Sequence, residues 1–432
     1  MKKIFVSIMV LTLMVSLIGC SPKEKNSTNG DKTEKTVVSE IKVWIPGDEA
    51  EYPFFYNMFR AYEEKNANVK FKIEQQPWGD YWTKLPIELD AGTGPDMFMS
   101  HTAYANLLVP NSRELPFEVS ELSNIKDAGI FVGETGKPVF VPLVFYGAVM
   151  YLNEDHWNDA GLTDANIPKT WDELEEVAQK LTVADNGKIV RAGIDVSTWY
   201  TMADLMYQQG QGLADDEGKT TIDSEAGKKA LEMMQKWEKE LKISDYTLGN
   251  GSPEDSFIKG KSSIIYGHAW MHKWFNTANE ELKFKAFPIP TVSEESPVVT
   301  RAEMELSFGI GKKVDDEKYD ILVDFTKFVL DNDEIMLSIS NGFSGVSSRT
   351  DLTDKGEESS TIDAIKVQMP RMIPMILPGE YETVIKQTMQ DVLINDYNIE
   401  EAQKNGVENL KNTDLSSVKK MENEYKDTDK LK

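Results

Sequence analysis

His268 and His272 stand four residues apart in HAWMH, a spacing that on a helix would put two imidazoles on one face and suit a zinc ion. No glutamate follows in the HExxH manner, the one cysteine (Cys20) lies far away, and only His101 could join them, so the pattern argues poorly for a metal. GLADDEGKT imitates a phosphate loop, but five residues rather than four separate its glycines, and Asp215, Asp216 and Glu217 would repel phosphate. A hairpin loop fits it better. GFSGV lacks the spacing of a G-x-S-x-G nucleophile elbow. Paired carboxylates for glycoside cleavage stay open, since spacing in sequence does not fix spacing in space.

Recognition without reaction asks for less. Aromatic faces suit the C–H faces of a sugar ring and carboxylates suit its hydroxyls, and together they orient it within a cleft. Which aromatics are available depends on the elements that hold them. Trp78, Trp82, Trp171 and Trp237 fall on apolar helical faces and read as core.

The elements alternate. Ile41–Trp44 reads as a strand, Pro53 opens a helix, Val69–Glu74 is a second strand, Trp78–Asp90 a helix ended by Gly92 and Gly94, and Asp96–Ser100 a buried strand. The pattern stops at about Pro142 and restarts with a strand at Val149–Leu152. The helix in IPKTWDELEEVAQKLT follows, with Thr170 and Glu173 as a capping box. Ile189–Asp195 and Ser262–Tyr266 are further strands. From Asp315 the chain is mainly helical, with a bend at NGFSGVSSR and a helix over Tyr381–Asn395. Alternation of this kind predicts an α/β fold on mostly parallel sheets.

In such folds ligands bind outside the carboxyl ends of the strands. That rule selects Asp48 and Glu49 after the first strand, His101 after the third, Trp199 and Tyr200 after Asp195, and His268 and Trp270 after Tyr266. Each has a plainer reading. His101 could be a satisfied loop histidine, Asp48 and Glu49 a solvated loop or a charge pair at a helix start, and the tryptophans core.

The ends and the charge bound the setting. Lys2 and Lys3 precede an uncharged run, Ile4–Ile18, about fifteen residues long and short of the roughly twenty that span a bilayer. It closes on Leu17-Ile18-Gly19-Cys20, which resembles a bacterial lipobox, so residues 1–19 are expected to be a lipoprotein signal peptide and Cys20 the lipid attachment point. Residues 20–36 then hold the lipidated cysteine and a polar tether with no large apolar side chain, too poor in burial to order itself. No thiol is left for a disulfide. The formal charge of −25 argues against nucleic acid and against lying on anionic lipid. The remaining ~400 residues suggest two or three domains.

Six stretches also occur in a familiar order. They are IKVWIPGDEAEYPFFYNMFRAYEEKNANVKFKIEQQPWGDYWTKLPIELDAGTGPDMFM, VPLVFYGAVMYLNEDHWNDAGL with IPKTWDELEEVAQKLT, FIKGKSSIIYGHAW, ELSFGIGKK, GFSGVSSR and MIPMILPGEYETVIKQTMQDVL. Together they resemble the extracellular solute-binding proteins of sugar ABC transporters, of the maltose/multiple-sugar type, across nearly all of residues 40–410. The resemblance implies a two-lobed periplasmic-binding-protein-like fold, each lobe a mostly parallel sheet flanked by helices and joined by hinge segments. Lobe 1 would be 37–144 with 291–345 and lobe 2 145–290 with 346–428, with crossings near Leu143–Tyr146, Phe287–Pro290 and Phe343–Ser347. It places the family's stacking aromatic on Trp270 and its polar post-hinge contact on Tyr146, a departure in residue type. It also brings the region of Arg371 and Tyr381 to the cleft.

The function implied is that of a monomeric, lipid-anchored receptor on the outer face of the bacterial cell membrane. It would need no cofactor, catalyse nothing, capture a mono- or oligosaccharide and hand it to the permease subunits of an ABC importer. The alternatives are a surface-anchored glycan hydrolase, or the same receptor for a polyamine, metal complex or phosphate ester.

Overall fold

The computed structural model describes residues 39–424, without 127–128, 250–251, 304–306 and 375–376. The signal segment, Cys20 and the tether lie outside the described residues, as do 425–428. The strand read from Ile41 to Trp44 is β1 (Ser39–Ile45). Pro53 opens the helix Pro53–Lys65 at its first turn, where a missing N–H costs nothing, and Phe54, Phe55, Met58, Phe59 and Tyr62 are buried along it. After β2 (Val69–Gln75) comes the helix Trp78–Ala91, which Gly92 ends at φ 76°, a left-handed conformation that glycine adopts without a steric penalty. β3 (Met97–Met99) follows.

The remaining strands are short except one. They are β4 (Phe131–Val132), β5 (Pro138–Phe140), β6 (Val144–Asn153), β7 (Val183–Asp185), β8 (Lys188–Asp195), β9 (Ser262–His268), β10 (Phe284–Phe287), β11 (Thr300–Glu303), β12 (Phe308–Ile310), β13 (Val346–Ser347) and β14 (Met372–Pro374).

Two sheets organise the chain, with β4 and β5 forming a small hairpin apart. The first has the order β12-β3-β1-β2, with β1 parallel to both β2 and β3 and β12 antiparallel at the edge. The second runs β14-β11-β6-β9-β8-β7, and β10 and β13 also pair with β6. Here the expectation of a mostly parallel sheet meets a mixed one. β6 is antiparallel to β9, β10, β11 and β13, and only the β8–β9 and β11–β14 ladders are parallel. The sequence pattern hid this because all ten residues of β6 are buried, so it shows no alternation to read. A β-carbon on Gly147 would come within 2.7 Å of the Arg301 carbonyl oxygen, so the close approach of β6 and β11 requires glycine there.

The faces of the second sheet divide by parity. Val149 and Tyr151 of β6 and Ile265 of β9 join the core that fills the first sheet, while Ala148, Met150, Leu152, Ile264 and Tyr266 join a second core with Trp171, Trp237 and Tyr381. Side chains of a strand alternate between faces, so one pair of strands serves both cores.

Two of the expected crossings run side by side, since Val346 pairs with Phe145 and Ser347 with Val144. The third is corrected. After β10 the chain remains on the second sheet through β11, and it passes to the first only between Glu303 and Phe308. Thr300–Glu303, which the resemblance would put in lobe 1, is therefore a strand of the second sheet. Arginine and glutamate in VVTRAE disguised an element whose first three residues are buried.

The helix Trp171–Leu181 carries its capping box. The loop that imitates a phosphate site is a hairpin, with the Asp215 amide donating to the Lys219 carbonyl at 2.8 Å. HAWMH is not one helix: His268 ends β9 and the helix begins at Met271. Among the described residues, no helix is long and apolar enough to cross a membrane.

Candidate functional site

Because β1, β2 and β3 are parallel neighbours, their carboxyl ends share one edge. After β1 come Asp48 and Glu49, both exposed and both already engaged. Asp48 Oδ1 accepts from the Glu51 amide at 2.9 Å, and Glu49 pairs with Arg60 at 2.6 Å. Burial, with Asp48 and Glu49 nearby, raises the pKa of the neighbouring Tyr56 hydroxyl, which donates to the Gly47 carbonyl. After β3, His101 caps a short turn by accepting from the Ala103 amide through Nδ1 at 3.1 Å, which puts its proton on Nε2. Its ring stands edge-on to Trp78, Trp82 and Tyr104 at 5.6, 5.3 and 5.7 Å, and Trp82 stacks on Tyr104 at 4.4 Å. Of the tryptophans read as core, Trp82, Trp171 and Trp237 are buried, but Trp78 is 44% exposed at the end of β2. The helical pattern misplaced it, because it is the first residue of its helix and lies at the strand end.

In the second sheet, the carboxyl ends of β8, β9 and β11 meet the start of β6, because β6 runs against β9 and β11. This edge gathers Tyr146, Trp199, Tyr200, His268 and Trp270. Asp195, buried at the end of β8, accepts from Ser197 and from Ser256 Oγ (2.7 Å), so it pins the strand end that leads to Trp199. Trp199 is buried against Tyr200, ring centroids 3.9 Å apart. Tyr200 meets His268 edge-on at 4.9 Å, and His268 lies parallel to Trp270 at 6.4 Å. Trp270 is 38% exposed and Trp274, 6.2 Å away, 37%.

The sequence reading missed the group beneath this row. Arg301, 2% exposed, lays its guanidinium 3.1 Å over the Tyr200 ring, and donates through Nε to Glu303 Oε1 (3.1 Å) and through Nη2 to His268 (3.1 Å). Though desolvated, Arg301 is held more firmly protonated than usual by Tyr200, Glu303, Tyr266 and Asp204. Burial pushes the His268 imidazole down to about 4; Glu303 opposes the shift and Arg301 adds to it, so His268 is neutral at pH 7. Asp204, fully buried on the helix Trp199–Gln208, accepts from Thr300 (2.6 Å) and Tyr266 (2.8 Å), and burial raises it to about 6. Trp171 and Trp237 donate their indole N–H to Gln208 and Glu175, whereas Trp199 Nε1 and Arg301 Nη1 have no protein partner. An Arg-x-Glu pair inside an apolar run was the one signal for this cluster.

Arg371 does not join it. Its guanidinium donates to the carbonyls of Glu294 and Ser296 at 3.1 Å each, bracing the loop before β11. Tyr381 is buried in the second core. His272 turns to Thr361 (2.8 Å) and His268 to Arg301, so the two imidazoles serve different partners.

The edges meet at the connections between the sheets. Tyr52, in the loop after β1, lies 5.9 Å from Phe343, and Phe343 stacks on Tyr146 at 5.7 Å. Two strand edges lined with aromatics, imidazoles and carboxylates, flanking paired connections, are the geometry of a two-lobed α/β binding protein. A model of the bacterial extracellular solute-binding proteins matches residues 46–333, and the chain belongs to that family.

It is 23% identical over 303 residues to the maltodextrin-binding protein MdxE of Bacillus subtilis and 24% identical over 289 residues to a galactooligosaccharide-binding protein of the same organism. The aligned stretches cover 68% and 64% of this chain, and 68% and 65% of those proteins. Among solved structures, the GacH receptor of Streptomyces glaucescens, described unliganded and with acarbose, superposes with a TM-score of 0.70. That match covers 90% of this chain and 100% of the other at 17% identity. At such identity the likeness establishes the fold alone.

Proposed function

We propose that this chain is a sugar receptor of an ABC importer, holding a mono- or oligosaccharide between its lobes and delivering it to membrane permease subunits. The observation that carries the reading is the aromatic and hydrogen-bonding row Tyr200, His268 and Trp270, backed by Glu303, with Trp78 and His101 at the strand ends of the other sheet. A neutral imidazole, a clamped carboxylate and exposed indoles offer a sugar its two needs, hydroxyl partners and flat apolar faces. The relatives' names, for maltodextrin and galactooligosaccharide binding, point the same way. Catalysis is not required. Ligand touching both lobes favours the closed form by its differential affinity, and the closed form docks on the permease. Cys20 carries the lipid that keeps this monomer at the outer face of the cell membrane.

A thermal-shift screen against mono- and oligosaccharides tests the reading, since a ligand at 100 times its Kd adds about 2.7 kcal/mol. Binding without turnover supports it, whereas sustained release of cleaved sugar would make the protein a glycan hydrolase instead. Changing Cys20 to Ser is expected to abolish acyl labelling; equal labelling of both forms overturns the anchor.

A further inference from the structure

The chain does not join the second lobe at β13. Just after it, the Lys126 amide donates to the Ser348 carbonyl at 2.9 Å and the Thr350 amide to the Asn124 carbonyl at 2.8 Å. Arg349 donates to the Leu330 carbonyl at 3.1 Å and pairs with Asp333 at 2.8 Å. These partners lie on the helices Asp316–Asp331 and Asp333–Gly342, the first of which is tied through Asp324 to Tyr62 at 2.7 Å. Past residue 359 the attachments change. On the helix Ser360–Gln368, Ser360 Oγ accepts from the Ala286 amide of β10 at 2.9 Å, Gln368 from the Ile289 amide at 3.1 Å, and Thr361 meets His272 at 2.8 Å. Residues 353–359 are thus a strap between the lobes. Glu357 shows both attachments: its amide donates to Asn341 at 2.8 Å, and its carboxylate pairs at 2.8 Å with Lys273 of the helix Met271–Ala278.

Lys126 closes the root of this strap. Its ammonium donates to the Ser347 carbonyl of β13 at 2.8 Å and to Thr353 Oγ1 at 3.2 Å, with the Phe145 ring centroid 5.9 Å away. Both acceptors are uncharged, and Asp354, whose charge favours the cation, pairs with Lys366 at 3.2 Å. Burial brings the amine down from the usual 10.5 to about 8. Holding a desolvated cation on neutral acceptors costs stability, so packing alone does not account for a lysine here. We infer that Lys126 is a positioning residue for lobe closure. It clasps β13 and Thr353 to the first lobe, confines the bending of this connection to residues 354–359, and so sets how far the free receptor opens. Without the clasp the loose stretch would reach back to Ser347, and the entropy of ordering it would weigh against the closed form.

The inference rests on the lobe closure in the reading above, and its first readout needs no ligand. Spin labels on Glu64→Cys of the helix Pro53–Lys65 and Glu232→Cys of the helix Glu225–Gln235, with Cys20→Ser, report the distance between lobes in the full-length chain. Lys126→Met is expected to broaden that distribution roughly twofold. It should also weaken binding of maltotriose or a galactooligosaccharide about threefold or more. The melting temperature should hardly move, because methionine keeps the contact with Phe145 and removes a desolvated charge. Lys126→Arg should restore the narrow distribution, and Thr353→Val, which removes one bond of the clasp, should broaden it less. If Lys126→Met does not fold, Thr353→Val decides alone. Unchanged distances in the variants overturn the inference, even where the melting temperature falls. So does equal broadening by Lys259→Met, an exposed lysine paired with Asp255 at 2.8 Å. A wild type that binds no sugar overturns the sugar reading, while the distances still decide the clasp.

Discussion

Tyr146 and Phe343 stack with ring centroids 5.7 Å apart and planes 13° from parallel. One ring stands near the start of β6 and the other just before β13, so the two connections between the sheets are joined by side chains as well as by their ladder. Phe343 also meets Phe54 at 5.0 Å and Tyr52 at 5.9 Å, which ties the loop after β1 to the same stack.

Truncating Phe343 to Ala is therefore expected to cost about 3–5 kcal/mol, as for a buried phenylalanine elsewhere. Urea denaturation measures the loss. A change under about 1 kcal/mol would show that the connections do not rely on this ring.

Trp270→Ala should behave in the opposite way. The ring is 38% exposed, so its removal should barely move the melting temperature. An aromatic anchor at a binding hot spot is commonly worth 2 kcal/mol or more, which makes the expected loss of sugar affinity roughly thirty-fold. Unimpaired affinity with a much lower melting temperature would return Trp270 to the core.

Acid should reveal His268. Its imidazole is neutral in the fold down to about pH 4, against 6.5 for a free one, so the stability it contributes is complete above pH 6.5 and is lost as pH falls through 4. The full effect is roughly 3 kcal/mol. Asp204 opposes it: raised from 3.8 to about 6, its contribution is present below pH 3.8 and lost as pH rises through 6. His268→Gln should lose less stability than the wild type between pH 7 and 4.5. Melting curves that fall in parallel would refute the assignment.

Arg301→Met leaves Glu303 partly buried without its cation, and is expected to cost about 3–5 kcal/mol. The double variant Arg301→Met/Glu303→Leu should recover most of that stability and still bind sugar poorly. Restored affinity in the double variant would reduce the pair to a structural role.

How much of this could be read beforehand depended on the range of each signal. β1, β2 and the helix Trp171–Leu181 were legible because alternation and a capping box act within a few residues. The strand-end rule found Trp199, Tyr200, His268 and Trp270 together, since it needs only the strand boundaries. Arg301 and Glu303 escaped because β11 is four residues long and its partners lie more than 70 residues away in the chain on both sides. Trp78 was misread since one residue at a helix start belongs equally to the strand end before it. Arg371 was placed by the resemblance, but its side chain turns to a loop whose carbonyls no sequence pattern announces.

β6 pairs directly with β9, β10, β11 and β13. Six other strands take their alignment from it directly or through one neighbour, and sliding a strand by one residue sends every side chain to the opposite face. A single inserted or deleted residue between Val144 and Asn153 would thus misdirect both cores at once. Anyone turning the protein into a reporter by splicing in a fluorescent domain should leave that stretch whole. The Asn186–Gly187 turn of the β7–β8 hairpin, at the exposed rim of the sheet, is where foreign sequence can be housed without disturbing the alignment of the rest.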